Sequence, residues 1–325
     1  MGKSIAILAG NGAIGKRLQI NYWINETHAV DIGIELDKGP ESNIRIFLPF
    51  SVEKSDIVCV SDKLKDKILC SAVFNEACTI DDATTYEHYY NINFNGLRPA
   101  ISVYQFPPDL IEVIPRSEPN ACVISLKLRE STTKHRYLRI RINKSASLNG
   151  AFCSESKPYG SWLQSIISKN REIDFRVNSK RSLPQDLLVA TDNRLLSFES
   201  IHLFYLLRSD EDILTQNQGA YTTRFLEEQI WSNYTPFETK NTKICAHYWK
   251  LTNTSEVTFF VRSNFQSKNI GVIIKYLLIT IALGITINLI SNFIWESKYN
   301  CFGKKVIAQD TTKIQDSLSA KFGKK

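Results

Sequence analysis

The chain has 325 residues, enough for one large domain or two small ones. Hydrophobic residues make up 43% and charged residues 22%, a globular balance that excludes a disordered or collagen-like chain. The net charge of +7 is modest and is partly placed in a C-terminal tail, so it does not single out a nucleic-acid partner.

The chain opens with a short apolar segment, Ile5 to Ala9. A signal-peptide core needs roughly 7–15 apolar residues, so none is expected here. Gly10-Asn11-Gly12-Ala13-Ile14-Gly15 follows and fits G-x-G-x-x-G, whose glycines let a backbone approach a pyrophosphate. Glu35 stands about where a ribose-binding acid would. The same stretch misses the P-loop, because Arg17 occupies the position of the metal-binding hydroxyl. A dinucleotide site would need a helix from about Ala13. Instead Leu18, Ile20, Tyr22 and Ile24 alternate with Gln19 and Asn21, and Val30, Ile32, Ile34 and Leu36 alternate with Asp31, Gly33 and Glu35. That period of two predicts a β-hairpin with one wet face, the glycines forming the loop before it. Cofactor binding through Gly10, Gly12, Gly15 and Glu35 is the alternative, and no other cofactor is expected.

Further strands are predicted at Asn43–Phe50, Ile57–Val60, around Tyr90, Ile92 and Phe94, at Ala100–Phe106 and at Leu110–Ile114. Between Asp62 and Glu76 the apolar spacing turns helical, with Ser61 or Asp62 as N-cap. Cys122–Leu128 and Tyr137–Asn143 predict a pair of strands, Arg139 and Arg141 lying on a solvated face. Many short strands with few helices predict a mainly β fold with some α, an antiparallel sandwich or barrel over residues 1–145.

Lys144 to Gly160 is rich in Ser, Asn, Gly and Lys, and marks a boundary to a second, α+β part over 146–268. There Ser161–Ser168 and Thr222–Ser232 predict helices, Ile173–Val177 and Phe198–Leu207 strands, and Ile244–Leu251 with Glu256–Phe265 a hairpin. Tyr22-Trp23 and Tyr248-Trp249 sit in similar contexts, but two residues do not establish a duplication.

Tyr276 to Trp295 reads YLLITIALGITINLISNFIW, without a charge. A helix of that length spans roughly 30 Å, so a transmembrane helix is predicted within 269–296, ahead of a basic tail over 297–325. Thr280, Gly284, Asn288 and Ser291 share one helical face. Small and hydrogen-bonding residues on such a face predict self-association of the helix within the lipid bilayer. Lysines flank both ends about equally, so charge does not orient the chain. The missing signal core places the N-terminal domain on the cytosolic side, and seven scattered cysteines outside any metal spacing agree with a reducing compartment.

No two of the five histidines share a metal-ligand spacing, and no nucleophile elbow is present. Asp81-Asp82 and Asp210-Glu211-Asp212 read as exposed acidic turns. The expectation is a non-enzymatic, single-pass membrane protein whose β-rich domain senses a protein or small-molecule trigger. By analogy of architecture, it would act as a membrane-perturbing effector of defence or toxin type. A nucleotide-dependent tethered enzyme and a passive scaffold are the alternatives.

Overall fold

The computed structural model describes residues 4–322 apart from 11–12, 26, 39–42, 82–87, 97, 117–119, 144–145, 158–167, 190–193, 238–242, 253 and 267–269. In chain order the first strands are β1 (Ser4–Ala9), β2 (Ile14–Ile24), β3 (His28–Lys38), β4 (Asn43–Leu48), β5 (Ile57–Cys59), β6 (Cys78–Asp81), β7 (Tyr89–Phe94), β8 (Ile101–Tyr104), β9 (Ile111–Pro115), β10 (Cys122–Lys127) and β11 (His135–Asn143). Then come β12 (Cys153–Ser156), β13 (Ser168–Val177), β14 (Arg194–Leu195), β15 (Phe198–Arg208), β16 (Glu211–Gln216), β17 (Thr222–Phe225), β18 (Ile244–Thr252) and β19 (Val257–Gln266).

These strands form two open sheets, so the mainly β expectation holds. The first runs β16-β19-β13-β1-β4-β10-β9, with β12 beside β13 and β14 beside β1. The second runs β17-β18-β15-β2-β3-β11-β8-β7-β6, with β5 beside β11. The main core draws Ile5, Ile7, Ile44 and Val261 from the first sheet, and Ile20, Ile32, Ile140 and Leu203 from the second. Strand periodicity explains this, since every second side chain of a strand points to the same face.

The sheets are mixed rather than antiparallel, because β1 lies parallel to β13, β2 to β15 and β11 to β8. The first two of these join distant halves of the chain. β1 and β4 pair antiparallel in the first sheet, while β2 and β3 pair antiparallel in the second. β13 and β19 repeat the first relation, and β15 and β18 the second. The path β1–β2–β3–β4 is therefore repeated in pairing by β13–β15–β18–β19, and the two paths meet along two parallel seams. Tyr22-Trp23 and Tyr248-Trp249 do not occupy equivalent strands in the two paths. Strands from both sides of residue 145 share both sheets, and residues 1–161 and 168–266 form one compact unit.

Several local expectations change. β10 and β11 are not a pair: β10 joins β4 and β9, while β11 joins β3, β5 and β8 in the other sheet. β18 and β19 likewise part, to β15 and β13. Adjacency in sequence suggested hairpins, but each connection crosses between sheets. Thr222–Phe225 is a strand, and only Glu228–Trp231 is helical. The Lys67–Phe74 helix is capped by Asp66, whose carboxylate accepts from the Ile68 and Leu69 amides at 2.8 and 3.1 Å, and not by Ser61 or Asp62. Ser61 and Asp62 open a separate 3-10 turn, Ser61–Lys65. The helix predicted at Ser161–Ser168 falls almost wholly outside the described residues.

Gly15 lies inside β2. A Cβ there would sit 2.4 Å from the Ser197 carbonyl oxygen and 2.6 Å from the Phe198 ring. The glycine of the apparent fingerprint is thus explained by close approach at the β2–β15 seam. Gly15→Ala is expected to cost about 1–3 kcal/mol through this overlap, read as a lowered urea midpoint. An unchanged midpoint would mean that the seam opens without strain.

The second unit holds a helix, Ile270–Phe322, of 53 residues. It is roughly 80 Å long. Its Ile274–Lys298 part has mean hydropathy 2.1 and its most apolar window buries none of its residues. By length and composition this part can cross a membrane.

Candidate functional site

The outer face of the second sheet holds what the alternation presents as wet. It is largely covered instead. Gln19, Asn21, Asp31, Glu35, Arg139 and Arg141 are all buried. The covering layer includes Leu69 and Val73 of the Lys67–Phe74 helix, with Trp231 and Tyr234, packed against Trp23.

Strand register arranges these polar residues in rows. One row runs Lys250 (β18), His202 (β15), Gln19 (β2), Gly33 (β3), Arg139 (β11). The next runs Thr222 (β17), Tyr248 (β18), Phe204 (β15), Asn21 (β2), Asp31 (β3), Arg141 (β11). The β2–β11 side of each row is a closed ionic cluster. The β17–β2 side is a cavity.

In the cluster, Arg141 donates from Nε to Asp31 Oδ1 at 2.5 Å and from Nη2 to Oδ2 at 3.0 Å. Arg139 Nη2 reaches Asp31 Oδ2 at 3.4 Å, and the Tyr234 hydroxyl donates to it at 2.9 Å. Burial alone would raise the Asp31 carboxyl, but Arg141 and Arg139 outweigh it and hold the group below its usual range. One carboxylate faces two guanidiniums. The surplus charge is met by Gln19 Oε1 and the Tyr137 hydroxyl, which accept from Arg139 Nη1 at 2.9 and 3.0 Å. The Tyr234 carbonyl accepts from Arg141 Nη1 at 2.6 Å, and the Tyr234 ring lies 4.7 Å from the Arg141 guanidinium carbon. Gly33 leaves room for this, since a Cβ there would lie 2.6 Å from the Tyr137 hydroxyl. Arg139 and Arg141 are thus internal structural cations, not a solvated face.

The cavity has a volume of 460 Å³. β2 contributes Arg17, Gln19 and Asn21; β15 contributes His202, Phe204 and Leu206; β18 contributes Ala246, Tyr248 and Lys250. Thr222 to Arg224 of β17, the end of the Lys67–Phe74 helix, Leu226 and Trp231 complete the wall. Among the described residues no carboxylate lines it, whereas Arg17, Arg224 and Lys250 do. The Phe204 and Tyr248 rings stack at 4.7 Å. Three buried polar atoms of the wall, Asn21 Oδ1, His202 Nε2 and Trp231 Nε1, have no hydrogen-bond partner among the described residues, and Arg17 Nε meets only the Glu35 carboxylate, at 3.6 Å. The His202 Nδ1 is engaged with the Tyr248 hydroxyl at 3.1 Å. Burial, then the charges of Arg17, Lys250 and Arg98, push His202 down to about 3, so the ring is neutral near pH 7.

The residues singled out from the sequence lie apart from this cavity or take other roles. Gly10 is irregular, Gly12 lies outside the described residues, and Gly15 is a strand residue. Ile14–Ile24 is a strand where the dinucleotide fingerprint requires a helix. Glu35 is buried, and its Oε2 pairs with Arg98 Nη2 at 2.7 Å and Arg17 Nε at 3.6 Å. On the C-terminal helix, Thr280 donates to the Tyr276 carbonyl at 3.0 Å, as Thr286 does to Ala282 at 2.8 Å. Both hydroxyls are therefore satisfied within their own helix. A Cβ on Gly284 would meet nothing within 4 Å, and Asn288 and Ser291 are exposed.

Two other clusters are structural. Glu211 is buried and accepts from Arg171 Nη1 at 2.8 Å and the Ser263 hydroxyl at 2.5 Å, so it is not part of an exposed acidic turn. Cys70 and Cys78 bring their sulfurs to 2.7 Å. Burial and then the Cys78 thiol push the Cys70 thiol up, which leaves it a poor nucleophile. Among the described residues no group of His, Cys, Asp or Glu is placed to hold a metal. The chain matches no protein-family model, and a comparison with curated proteins found no match.

Proposed function

We propose that the chain is a membrane-anchored, non-enzymatic binding protein. Its sandwich-like β unit takes a ligand or trigger in the cavity over β2, β15 and β18, and residues 274–298 cross the bilayer. The observation that carries the anchoring is the run Ile274–Lys298, long and apolar enough to cross a membrane and with none of its most apolar stretch buried. The cavity supports the binding role, because its partnerless buried polar atoms are costly unless something pairs with them. In this reading the β unit is cytosolic, and the face carrying Thr280, Gly284, Asn288 and Ser291 joins helices of separate copies. Clustering of those helices is the step through which an occupied cavity would act on the membrane.

The test compares the full chain with a chain ended at Gln266. The full chain is expected in the membrane fraction after alkaline carbonate washing, and the shortened chain in the soluble fraction. In bilayers, Gly284→Leu with Asn288→Leu is expected to remove crosslinked oligomers while anchoring persists. A full chain recovered as soluble protein would overturn the proposal, and oligomers that survive the double substitution would overturn the helix interface alone.

A further inference from the structure

We propose that the cavity over β2, β15 and β18 binds a small organic anion carrying a planar ring, the chemistry that a mononucleotide presents. This rests on the reading of that cavity as the binding site, and names the class of ligand.

The anion follows from charge. Arg17, Arg224 and Lys250 line the cavity and, among the described residues, no carboxylate does. No ion pair among the described residues reaches Arg224 or Lys250, and Arg17 meets only Glu35, at 3.6 Å, a carboxylate that Arg98 holds more closely. Beneath the floor, Gln19 accepts from Arg139, a member of the cluster in which two guanidiniums share one carboxylate. That buried surplus adds to the positive potential above it, because little solvent separates the two. The atoms without a hydrogen bond lean the same way: Trp231 Nε1 can only donate, and His202 Nε2 donates whenever Tyr248 donates to Nδ1.

The ring follows from shape and composition. Phe204 and Tyr248 stack at 4.7 Å and form one aromatic wall, with Leu206 and Ala246 beside them. Such a wall suits a flat π-system, whose edge substituents can pair with Asn21 Oδ1. Asn21 is 3% exposed, so its free carbonyl oxygen is available only to a group inside the cavity. The volume of 460 Å³ lies within the range of small-molecule sites, about 300–1,000 Å³.

Calorimetry on the full chain in detergent micelles, with AMP, adenosine and inorganic phosphate as separate probes, tests this. AMP is expected to bind at least about tenfold more tightly than either fragment, since it alone uses both the cations and the aromatic wall. Arg224→Ala with Lys250→Ala, both exposed positions, is expected to weaken AMP at least about tenfold and leave adenosine unchanged. Phe204→Ala should weaken AMP and adenosine alike. If phosphate binds as tightly as AMP, the ring fails and an anion site remains. If adenosine binds as tightly as AMP, the anion fails, yet the cavity still takes a ligand and the proposed function stands. If no probe binds, or if binding is indifferent to all three substitutions, the cavity is not the site, and both this inference and the binding role fall.

Discussion

Asp31→Ala is expected to unfold the β unit or leave it barely stable. Asp31 and Arg139 are fully buried and Arg141 nearly so, and the single carboxylate is the only acid that the two guanidiniums meet among the described residues. Removing it leaves two cations in a dry site. Breaking a buried pair in this way costs about 3–5 kcal/mol. A domain's whole stability is about 5–15 kcal/mol, so the loss is a large share of it. Urea unfolding of the full chain in detergent, followed by tryptophan fluorescence, reads the effect as a lowered midpoint. Arg141→Met added to Asp31→Leu should recover only the part of the loss that comes from the Arg141 charge, because Arg139 still lacks its counter-charge in that variant. The two residues stand directly opposite in the β3–β11 ladder and should couple strongly in a double-mutant cycle. A midpoint within experimental error of wild type for Asp31→Ala would show that water reaches the cluster. Tyr234 would then be a loose cover rather than a sealing one.

This cluster also marks the limit of what the sequence discloses. Strand periodicity located most of the strands, because the apolar alternation in Leu18–Ile24 and Val30–Leu36 has one physical cause, a face turned to a core. The apolar run at Tyr276–Trp295 was legible for a similar reason, since a membrane-length helix needs no partner to be recognised. What the alternation does not contain is the medium met by the other face. Gln19, Asn21, Asp31, Arg139 and Arg141 look wet because polar residues usually are. Here a second layer covers them, and their charges are paired instead of solvated. A signal was present in the side-chain order along two strands. Asp31-x-Gly33-x-Glu35 on β3 lies against Tyr137-x-Arg139-x-Arg141 on β11, with Asp31 facing Arg141, Gly33 facing Arg139 and Glu35 facing Tyr137. Reading it requires knowing that β3 and β11 are neighbours, which nearly a hundred intervening residues conceal. The cavity was invisible for the same reason, since Arg17, His202, Tyr248 and Lys250 come together only through the parallel seam between β2 and β15. That seam joins the two four-strand paths, and the cavity lies along it.

Acid should weaken the fold as the pH falls below about 6.5. His28 and His247 are buried, and burial pushes each from 6.5 down to about 4, with Arg171 adding to the effect at His28. Below pH 6.5 the unfolded chain takes up a proton at each ring while the folded chain does not. Stability is therefore complete above pH 6.5, falls as the pH drops towards 4, and levels off at these two sites once the folded rings also protonate. Each site contributes a slope of up to about 1.4 kcal/mol per pH unit, and about 3 kcal/mol over the whole window. Asp31, held below its usual range, adds its own loss only at lower pH. The urea midpoint of the full chain is thus expected to decline steeply between pH 6.5 and 4. His28→Gln with His247→Gln should flatten that decline, since glutamine can still pair with Tyr22 and Thr223, the present partners at 3.2 and 2.9 Å, yet takes up no proton. His202, pushed down to about 3, would supply the slope that remains. An unfolding midpoint that stays level from pH 7 to 4.5, or a double variant as acid-sensitive as wild type, would place the titrating groups elsewhere. The same measurement repeated with AMP present carries a second consequence. An anion beside Arg17 and Lys250 offsets the charges that hold His202 down, so occupancy of the cavity should raise the pH at which that ring protonates.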